Sequence, residues 1–203
     1  RSSEPEISVT RQAAGDFEYI FAVNARHDFD GNPQLGVLSA APTFTLPNDG
    51  RPVYDAICGG PAAFKAAGKR LSGEFRFGPG AMKVFARTSR PIGTVRAATP
   101  TVRRQYVRDQ APLTLHLGAT LLDHEGGLLS GAAPLRLRVI DPLGALRYDL
   151  YRATEMGVLR LALPLAVNDA AGQWTVTVTD LIAGTSDQTT FSLPAVGQCS
   201  PVA

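Results

Sequence analysis

The clearest pattern in the chain is a strict alternation of apolar and polar positions in its second half. Across residues 135–139, leucine and valine alternate with arginine. A side-chain period of two residues is typical of a β-strand that is buried on one face. The next four residues, Asp-Pro-Leu-Gly at 141–144, predict a turn, because proline fixes φ and glycine tolerates positive φ. The sequence therefore predicts a half-buried strand that ends in a tight turn.

The same alternation recurs through the second half, with turn residues about every ten positions. Trp174, Val176 and Val178 form one apolar face of the most regular of these segments. Short strands at this spacing are typical of a sandwich of the immunoglobulin type. Besides the segment above, the pattern predicts strands over 113–121, 145–154, 158–163, 173–180 and 188–193.

The first half carries shorter segments of the same kind. The segment 17–24 places Phe17, Tyr19, Phe21 and Val23 on one face, and Phe64 is expected to fill a core from a loop. Local turns predict that consecutive strands return on each other as hairpins. The predicted strands cover 6–13, 17–24, 43–46, 51–58, 71–77 and 81–88.

Size and composition agree with an all-β chain of two domains. The 203 residues include 20 glycines and 15 prolines, and 44% of them are hydrophobic, which is enough for two cores of about 100 residues each. We expect two tandem antiparallel β-sandwiches at 5–95 and 110–196, the second immunoglobulin-like, joined by a connector. No apolar run is long enough to span a membrane. The chain begins at Arg1 rather than Met, so we expect it to be part of a longer protein.

Residues 6–90 resemble the small β-sandwich accessory domains that follow the catalytic barrel of many glycoside hydrolases. The resemblance lies in the Val-Tyr-Asp at 53–55, the glycine pair at 59–60, and the segment 77–86, Phe-Gly-Pro-Gly-Ala-Met-Lys-Val-Phe-Ala. In that family the domain packs against a neighbour and has no catalytic residues. The resemblance implies a supporting role and provides no site residues.

Residues 113–194 resemble the immunoglobulin-like repeats of macroglobulins and bacterial surface proteins. The resemblance lies in the Ser-Gly-Ala at 130–132, the strand and Asp-Pro-Leu-Gly turn at 135–144, and the strand that opens with Gly-Gln-Trp at 172–174. Such domains imply spacing, support or protein contact. The chain lacks a Gly-Cys-Gly-Glu thioester motif, so no trapping chemistry is implied.

The connector between the two predicted domains is rich in arginine. One interpretation is contact with an anionic partner, such as phosphate, an acidic polysaccharide or nucleic acid. The other is a set of solvated or interdomain arginines that pair with carboxylates elsewhere. We favour the second, because the net charge is only +2 and Tyr106 is the one aromatic residue available for base stacking. The arginines are Arg87, Arg90, Arg96, Arg103, Arg104 and Arg108, opposed by Asp109.

Three residue patterns hint at metal or disulfide chemistry. Asp28, Asp30 and Asn32 begin like a calcium loop, but Pro33 and Ser39 stand where that loop needs glycine and glutamate. The histidines His27, His116 and His124 lack the close spacing of a zinc site, so we expect no metal. Cys58 and Cys199 could form a disulfide or remain two separate thiols, and spacing does not decide between them.

Catalytic patterns are missing from the sequence. There is no Gly-x-Ser-x-Gly elbow and no phosphate-binding glycine loop before a helix, so we expect no enzyme and no cofactor. Tyr54, Tyr148 and Tyr151 could bind sugars if their rings are exposed. Tyr148 and Tyr151 should face opposite sides of a strand, so one of them is expected in the core.

These observations favour a non-catalytic structural or interaction module. We expect it to be the C-terminal part of a larger secreted, periplasmic or cell-surface bacterial protein. Its expected partners are the N-terminal domains of its own chain, and a polysaccharide or another protein is a further candidate. We expect no nucleic acid partner. The alternative is a carbohydrate-binding module attached to a glycoside hydrolase.

Overall fold

The regular secondary structure of the described residues is entirely β. The computed structural model describes residues 1–27, 36, 38–104, 113–166 and 168–194. All of its strand pairs are antiparallel, and the described residues contain no helix, which confirms the predicted all-β class. The chain divides into two compact units, 1–91 and 92–203.

The described part of the first unit contains seven strands in two sheets. The larger sheet has the order β1-β2-β7-β4, and the smaller has the order β3-β6-β5. The hairpin predicted at the start of the chain is confirmed, with Gly15 at φ 61° in its two-residue turn. The strands are β1 Ile7–Ala14, β2 Phe17–Asn24, β3 Thr43–Pro47, β4 Val53–Asp55, β5 Lys65–Ala67, β6 Arg70–Glu74 and β7 Met82–Thr88.

The core of the first unit is a cluster of phenylalanine rings. Phe44 lies 5.7 Å from Phe85 between ring centroids, and Phe75 lies 4.7 Å from the same ring. Phe64 packs against this cluster at 4.9 Å from Phe75, which confirms its predicted role. Offset and edge-on ring pairs at these distances stabilise a core beyond the area that they bury.

Two predicted hairpins of the first unit are wrong. The strand after the turn at 47–50 is β4, which pairs with β7 and not with β3. The strand after the turn at 78–80 is β7, which pairs with β2 and β4, while β6 pairs with β3 and β5. The turn residues reverse the chain as expected. The strand with which β4 or β7 pairs depends instead on how the two sheets pack on the phenylalanine cluster.

The aromatic face of β2 points away from that cluster. Ile20 and Ala22 belong to the core cluster, whereas Tyr19 and Phe21 are only half-buried. Both faces of β2 are apolar, so alternation alone predicts which side chains share a face but not which face is inward.

In the second unit, eight strands are formed by the described residues. One sheet has the order β13-β10-β8, with β9 also paired to β10, and the other has the order β12-β11-β14-β15. The strands are β8 Ile92–Ala97, β9 Thr101–Arg104, β10 Leu113–Asp123, β11 Pro134–Ile140, β12 Leu146–Ala153, β13 Val158–Leu165, β14 Gly172–Asp180 and β15 Ser186–Leu193.

Much of the stretch interpreted as a connector is therefore part of this sheet. Arg96 pairs across the ladder with Thr120, and Arg103 pairs with Thr114. The prediction failed because the arginines and prolines of this stretch interrupt any apolar period. Ile92, Val95 and Ala97 nevertheless supply the inward face of β8, and Ile92 and Val95 are buried.

The core of the second unit follows the predicted alternation. On β10 the buried residues are every second one from Leu115 onward, and on β14 they include Trp174, Val176 and Val178. On β11, Leu135, Leu137 and Val139 are completely buried. Three predicted faces are thereby confirmed.

Side chains cover the free edge of β8. The Val95 amide donates to Thr185 Oγ1 at 3.1 Å, and the Ala97 amide donates to Asp187 Oδ2 at 3.0 Å. These amides point away from β10, and the two side chains satisfy donors that an edge strand otherwise presents to solvent.

Candidate functional site

The three tyrosines proposed for sugar binding lie in different environments. Tyr54 on β4 is only 7% exposed, so its ring offers no open stacking surface. Tyr148 and Tyr151 lie on opposite faces of β12, as their spacing predicts. The half-buried Tyr148 shares the core face with Val139, and its hydroxyl donates to the Pro164 carbonyl oxygen.

Tyr151 is the one of the three with an exposed ring. It is 58% exposed, and the Arg136 guanidinium carbon lies 5.5 Å from the ring centroid. Arg136 is held in place by a two-pronged ion pair, from Nε to Asp149 Oδ1 at 2.8 Å and from NH2 to Asp149 Oδ2 at 2.6 Å. This hydrogen bonding raises the pKa of Arg136 and lowers the pKa of Asp149. The result is a preorganised ring, cation and anion on one exposed face.

A row of threonines continues this face across the sheet. Thr175, Thr177 and Thr179 point outward from β14 between the buried residues of that strand. Thr179 lies opposite Arg136, and Thr177 lies opposite Arg138. The face can offer hydroxyl and guanidinium hydrogen bonds to a polar ligand. Sequence alternation places these side chains outward, but only the strand pairing brings them together.

The metal candidates are not brought together in the described residues. Asp28, Asp30 and Asn32 lie outside the described ranges. His116 lies on β10, and His124 lies in the turn that follows this strand. Within the described ranges, no group of three or more histidine, cysteine, aspartate or glutamate side chains could hold a metal ion.

The disulfide stays a prediction. Cys58 is exposed in the turn after β4, where its amide and that of Ile57 both donate to Asp55 Oδ1 at 2.9 Å. Cys199 lies outside the described residues.

An apolar patch lies on the outer face of the larger sheet of the first unit. Phe21 and Val84 pair directly across β2 and β7, and so do Val23 and Met82. Met82 is 51% exposed and Val23 is 37% exposed, while Phe21 and Val84 are half-buried. We call these four residues the apolar patch. The alternation of β2 predicts that Phe21 and Val23 share a face, but it does not predict that this face is the outer one.

The first unit also has a cationic groove of about 700 Å³. Its lining includes Arg11, Lys69 and Arg70, together with the hydroxyl residues Thr43 and Thr45. Arg11 contacts Glu18 at 3.4 Å, whereas Lys69 and Arg70 form no ion pair with another described residue. The groove contains no aromatic ring and no carboxylate among its lining residues.

Arg87, counted with the connector arginines, is completely buried in the first unit. Its NH1 lies 3.0 Å from Glu18 Oε2, and its NH2 lies 2.6 Å from Asp49 Oδ1. The NH2 group also donates to the Pro47 carbonyl oxygen at 3.2 Å, while Nε has no partner among the described residues. The predicted pairing with carboxylates elsewhere in the chain is confirmed for Arg87. The predicted exposure to solvent is wrong for this residue, and its partners satisfy the buried charge.

In the second unit, three buried aspartates close turns at strand ends. Asp123 Oδ1 accepts the amides of Glu125 and Gly127 at 2.9 and 2.7 Å. Asp141 Oδ1 accepts two amides of the next turn in the same way. Asp180 accepts the amides of Ile182 and Ala183, and burial raises its pKa even though these hydrogen bonds lower it. These carboxylates have structural roles that account for their burial.

Comparison with known proteins adds no assignment. The sequence matches no protein-family model and shows no significant similarity to a curated protein. The two family resemblances drawn from short motifs therefore stay predictions. In the described part of the chain, no helix is long and apolar enough to cross a bilayer.

Proposed function

We propose that the chain is a non-catalytic interaction module that docks on another protein domain. The observation that carries this proposal is the apolar patch of Phe21, Val23, Met82 and Val84. Contiguous apolar side chains on the outside of a sheet are typical of contact sites for proteins. The partner is a folded domain, either elsewhere in a longer chain of which this is part or in a separate secreted or cell-surface protein.

The patch fits a protein partner better than a sugar. It offers four apolar side chains in a two-by-two block, and its polar neighbours Ser8 and Thr10 lie on one side, on β1. Burial of such a block under a partner gains about 25 cal/mol per Å² of apolar surface. The rim then provides hydrogen bonds that orient the partner.

Site-specific photo-crosslinking in the full-length gene product tests this proposal. A photoreactive phenylalanine replaces Val23 or Met82, and mass spectrometry maps the crosslinked peptides. We expect crosslinks to one defined surface of another domain. They should disappear when Phe21→Lys is added, because a charge at the centre of the patch opposes docking.

Leu143 provides the matched control, because it is 83% exposed and lies in a turn of the second unit. A photoreactive residue there should give only scattered crosslinks. If the patch positions and position 143 give the same scattered pattern, the docking proposal is wrong.

The second candidate function is carbohydrate binding, and the exposed Tyr151 with its Arg136–Asp149 pair favours it. A glycan array and thermal shift with soluble polysaccharides test it. Tyr151→Ala should abolish binding, while Arg152→Ala on the same strand should not. Tyr54→Ala and Tyr148→Ala are poor probes, because these side chains are buried or bonded to the fold and their loss would destabilise it.

A further inference from the structure

We propose that the outer face of the sheet β13-β10-β8, including β9, is a binding surface for an acidic polysaccharide. We call it the cationic face. It goes beyond the proposed docking role, because it lies on the second unit and involves none of the residues of the apolar patch. Its cations are Arg96, Arg103 and Arg160, and His116 lies among them.

The strand register places these side chains on one face. Residues 115, 117, 119 and 121 of β10 are buried, so the intervening residues 114, 116, 118 and 120 point outward. Arg103 pairs with Thr114, Arg160 with Gly118, and Arg96 with Thr120. Residues that are paired across neighbouring strands point to the same face of a sheet. The three arginines therefore flank β10 on both sides, with His116 between them.

Threonine hydroxyls fill the space between the cations. Thr114 and Thr120 belong to β10, Thr101 lies opposite His116, and Thr94 lies opposite Leu122. From Thr114 to Thr120 the face extends about 20 Å, at about 3.4 Å per residue. A surface of this length suits an extended polymer better than a compact ligand.

The cationic face has no internal counter-charge. In the described sequence of these four strands the single carboxylate is Asp123, which is only 4% exposed and holds the amides of the next turn. Arg96, Arg103 and Arg160 form no ion pair with another described residue. Elsewhere in the unit, Asp149 is paired with Arg136, Asp169 with Arg147, and Asp187 holds the Ala97 amide.

The charge arrangement identifies the ligand as anionic. A guanidinium group binds a carboxylate or a sulfate through two parallel hydrogen bonds, and such charge-assisted bonds are stronger than neutral ones. The threonine hydroxyls can donate to and accept from the hydroxyls of a sugar. A polymer that carries both acidic groups and hydroxyls would match this face along its length.

The absence of aromatic residues favours a polysaccharide over a single-stranded nucleic acid. None of the four strands contains phenylalanine, tyrosine or tryptophan. Proteins that bind single-stranded nucleic acids stack bases on aromatic rings, and that stacking provides much of the affinity. Double-stranded DNA remains as a competitor that contacts basic surfaces through its phosphates alone, and the experiment includes it.

Binding of polygalacturonate and heparin to the intact chain tests the proposal, with dextran as the neutral polymer. The two acidic probes distinguish carboxylate from sulfate recognition. We expect both to bind at low salt and dextran not to bind. The variant R96Q/R103Q/R160Q should weaken binding at least tenfold. The slope of log K against log salt should also become shallower by about 2, because binding with fewer arginine contacts releases fewer counterions.

Two control variants separate the cationic face from other basic surfaces. R152Q removes an exposed arginine of the other sheet and should leave affinity unchanged. K69Q/R70Q removes two cations from the groove of the first unit and should also leave it unchanged. The proposal is overturned if R96Q/R103Q/R160Q binds like the wild type, or if only K69Q/R70Q loses binding.

A charge insertion provides a variant that keeps all the arginines. Thr114→Glu places a carboxylate on the cationic face and should abolish binding, whereas Leu143→Glu, in an exposed turn of the same unit, should not. In NMR spectra, the imidazole signals of His116, assigned with His116→Gln, should shift on addition of polygalacturonate while those of His124 do not. Tighter binding of double-stranded DNA than of both acidic polysaccharides at roughly 150 mM salt would overturn the assignment in favour of nucleic acid.

Discussion

The two units bury charge in opposite ways. The first unit buries a cation, Arg87, and surrounds it with the carboxylates of Glu18 and Asp49. The second unit buries anions, Asp123, Asp141 and Asp180, and satisfies them with backbone amides of the turns that follow. Both arrangements compensate for the desolvation of a buried charge. The first uses side chains that are distant in sequence, and the second uses backbone amides that are close in sequence.

The difference lies in where the partners come from along the chain. Arg87 depends on residues 38 and 69 positions away, so its environment exists only after the two sheets have formed. Each buried aspartate depends on amides two to four residues ahead, so its environment forms with the local turn. Loss of one member of the Arg87 network should therefore lower the stability of the first unit strongly. Loss of one buried aspartate should mainly disturb the turn that follows it.

The largest effect should come from Arg87. Arg87→Met removes the buried partner of Glu18 and Asp49, which keep their ion pairs with Arg51. The cost should therefore lie at the lower end of the range for a broken buried ion pair, about 3 kcal/mol. Urea denaturation followed by far-UV circular dichroism measures the change in the free energy of unfolding. The control is Arg70→Met, which removes an exposed arginine without an ion pair to a described residue. Equal stability of the two variants would contradict the structural role of the Arg87 network.

A smaller effect is expected at Asp180. Asp180→Ala leaves the Ile182 and Ala183 amides without their acceptor, and an unsatisfied buried donor costs about 1–3 kcal/mol. Trp174 is the only tryptophan of the chain and lies in the core of the second unit, so its fluorescence reports this change. Asp149→Ala, which removes an exposed carboxylate of the same unit, should leave the denaturation midpoint unmoved. An unchanged midpoint for Asp180→Ala would show that water replaces the carboxylate.

The smallest effects should appear as opposite pH dependences. The Arg51 hydrogen bond lowers the pKa of Asp49 to about 2, so its ionised form stabilises the fold above about pH 4. That contribution, about 0.5–1 kcal/mol after solvent screening, is lost as the pH falls through 2. Burial raises the pKa of Asp180, so its contribution is present below its usual pKa of 3.8 and is lost as the pH rises through the folded value.

Two amide variants separate these contributions. The stability difference between wild type and Asp49→Asn should shrink as the pH falls from 5 to 2. The stability of the wild type relative to Asp180→Asn should increase as the pH falls over the same range. Parallel pH profiles for the two variants would contradict the assigned directions of the pKa shifts.

Strands β10, β11 and β14 of the second unit were easier to predict, because each of them is apolar mainly on one face. Leu135, Leu137 and Val139 alternate with arginines, so period and burial agree. In β2, Phe21 and Val23 on one face compete with Ile20 and Ala22 on the other, and the sequence does not distinguish the buried side. The pairing of β3 with β6 depends on contacts distant in sequence, which local periodicity does not contain. The strand β5 pairs locally with β6, but its three exposed residues are too few to show a period.

The candidate surfaces were predicted only in part. The position of Tyr151 on the outer face follows from alternation, whereas its contact with Arg136 depends on the β11–β12 register. The connector arginines gave a correct signal of local positive charge. Their placement on one face with Arg160 requires β10 to pair with β13 on one side and with β8 and β9 on the other. This pairing brings Arg160 into one sheet with arginines that lie more than 50 positions earlier in the chain.

The covered edge of β8 has a consequence for the behaviour of the protein at high concentration. An open strand edge can template pairing with an identical strand of another molecule and so start aggregation. Thr185 and Asp187 occupy the amides of Val95 and Ala97 that such pairing would require. These two side chains thus act as protection against self-association. They would be poor choices for replacement in any variant that has to stay monodisperse.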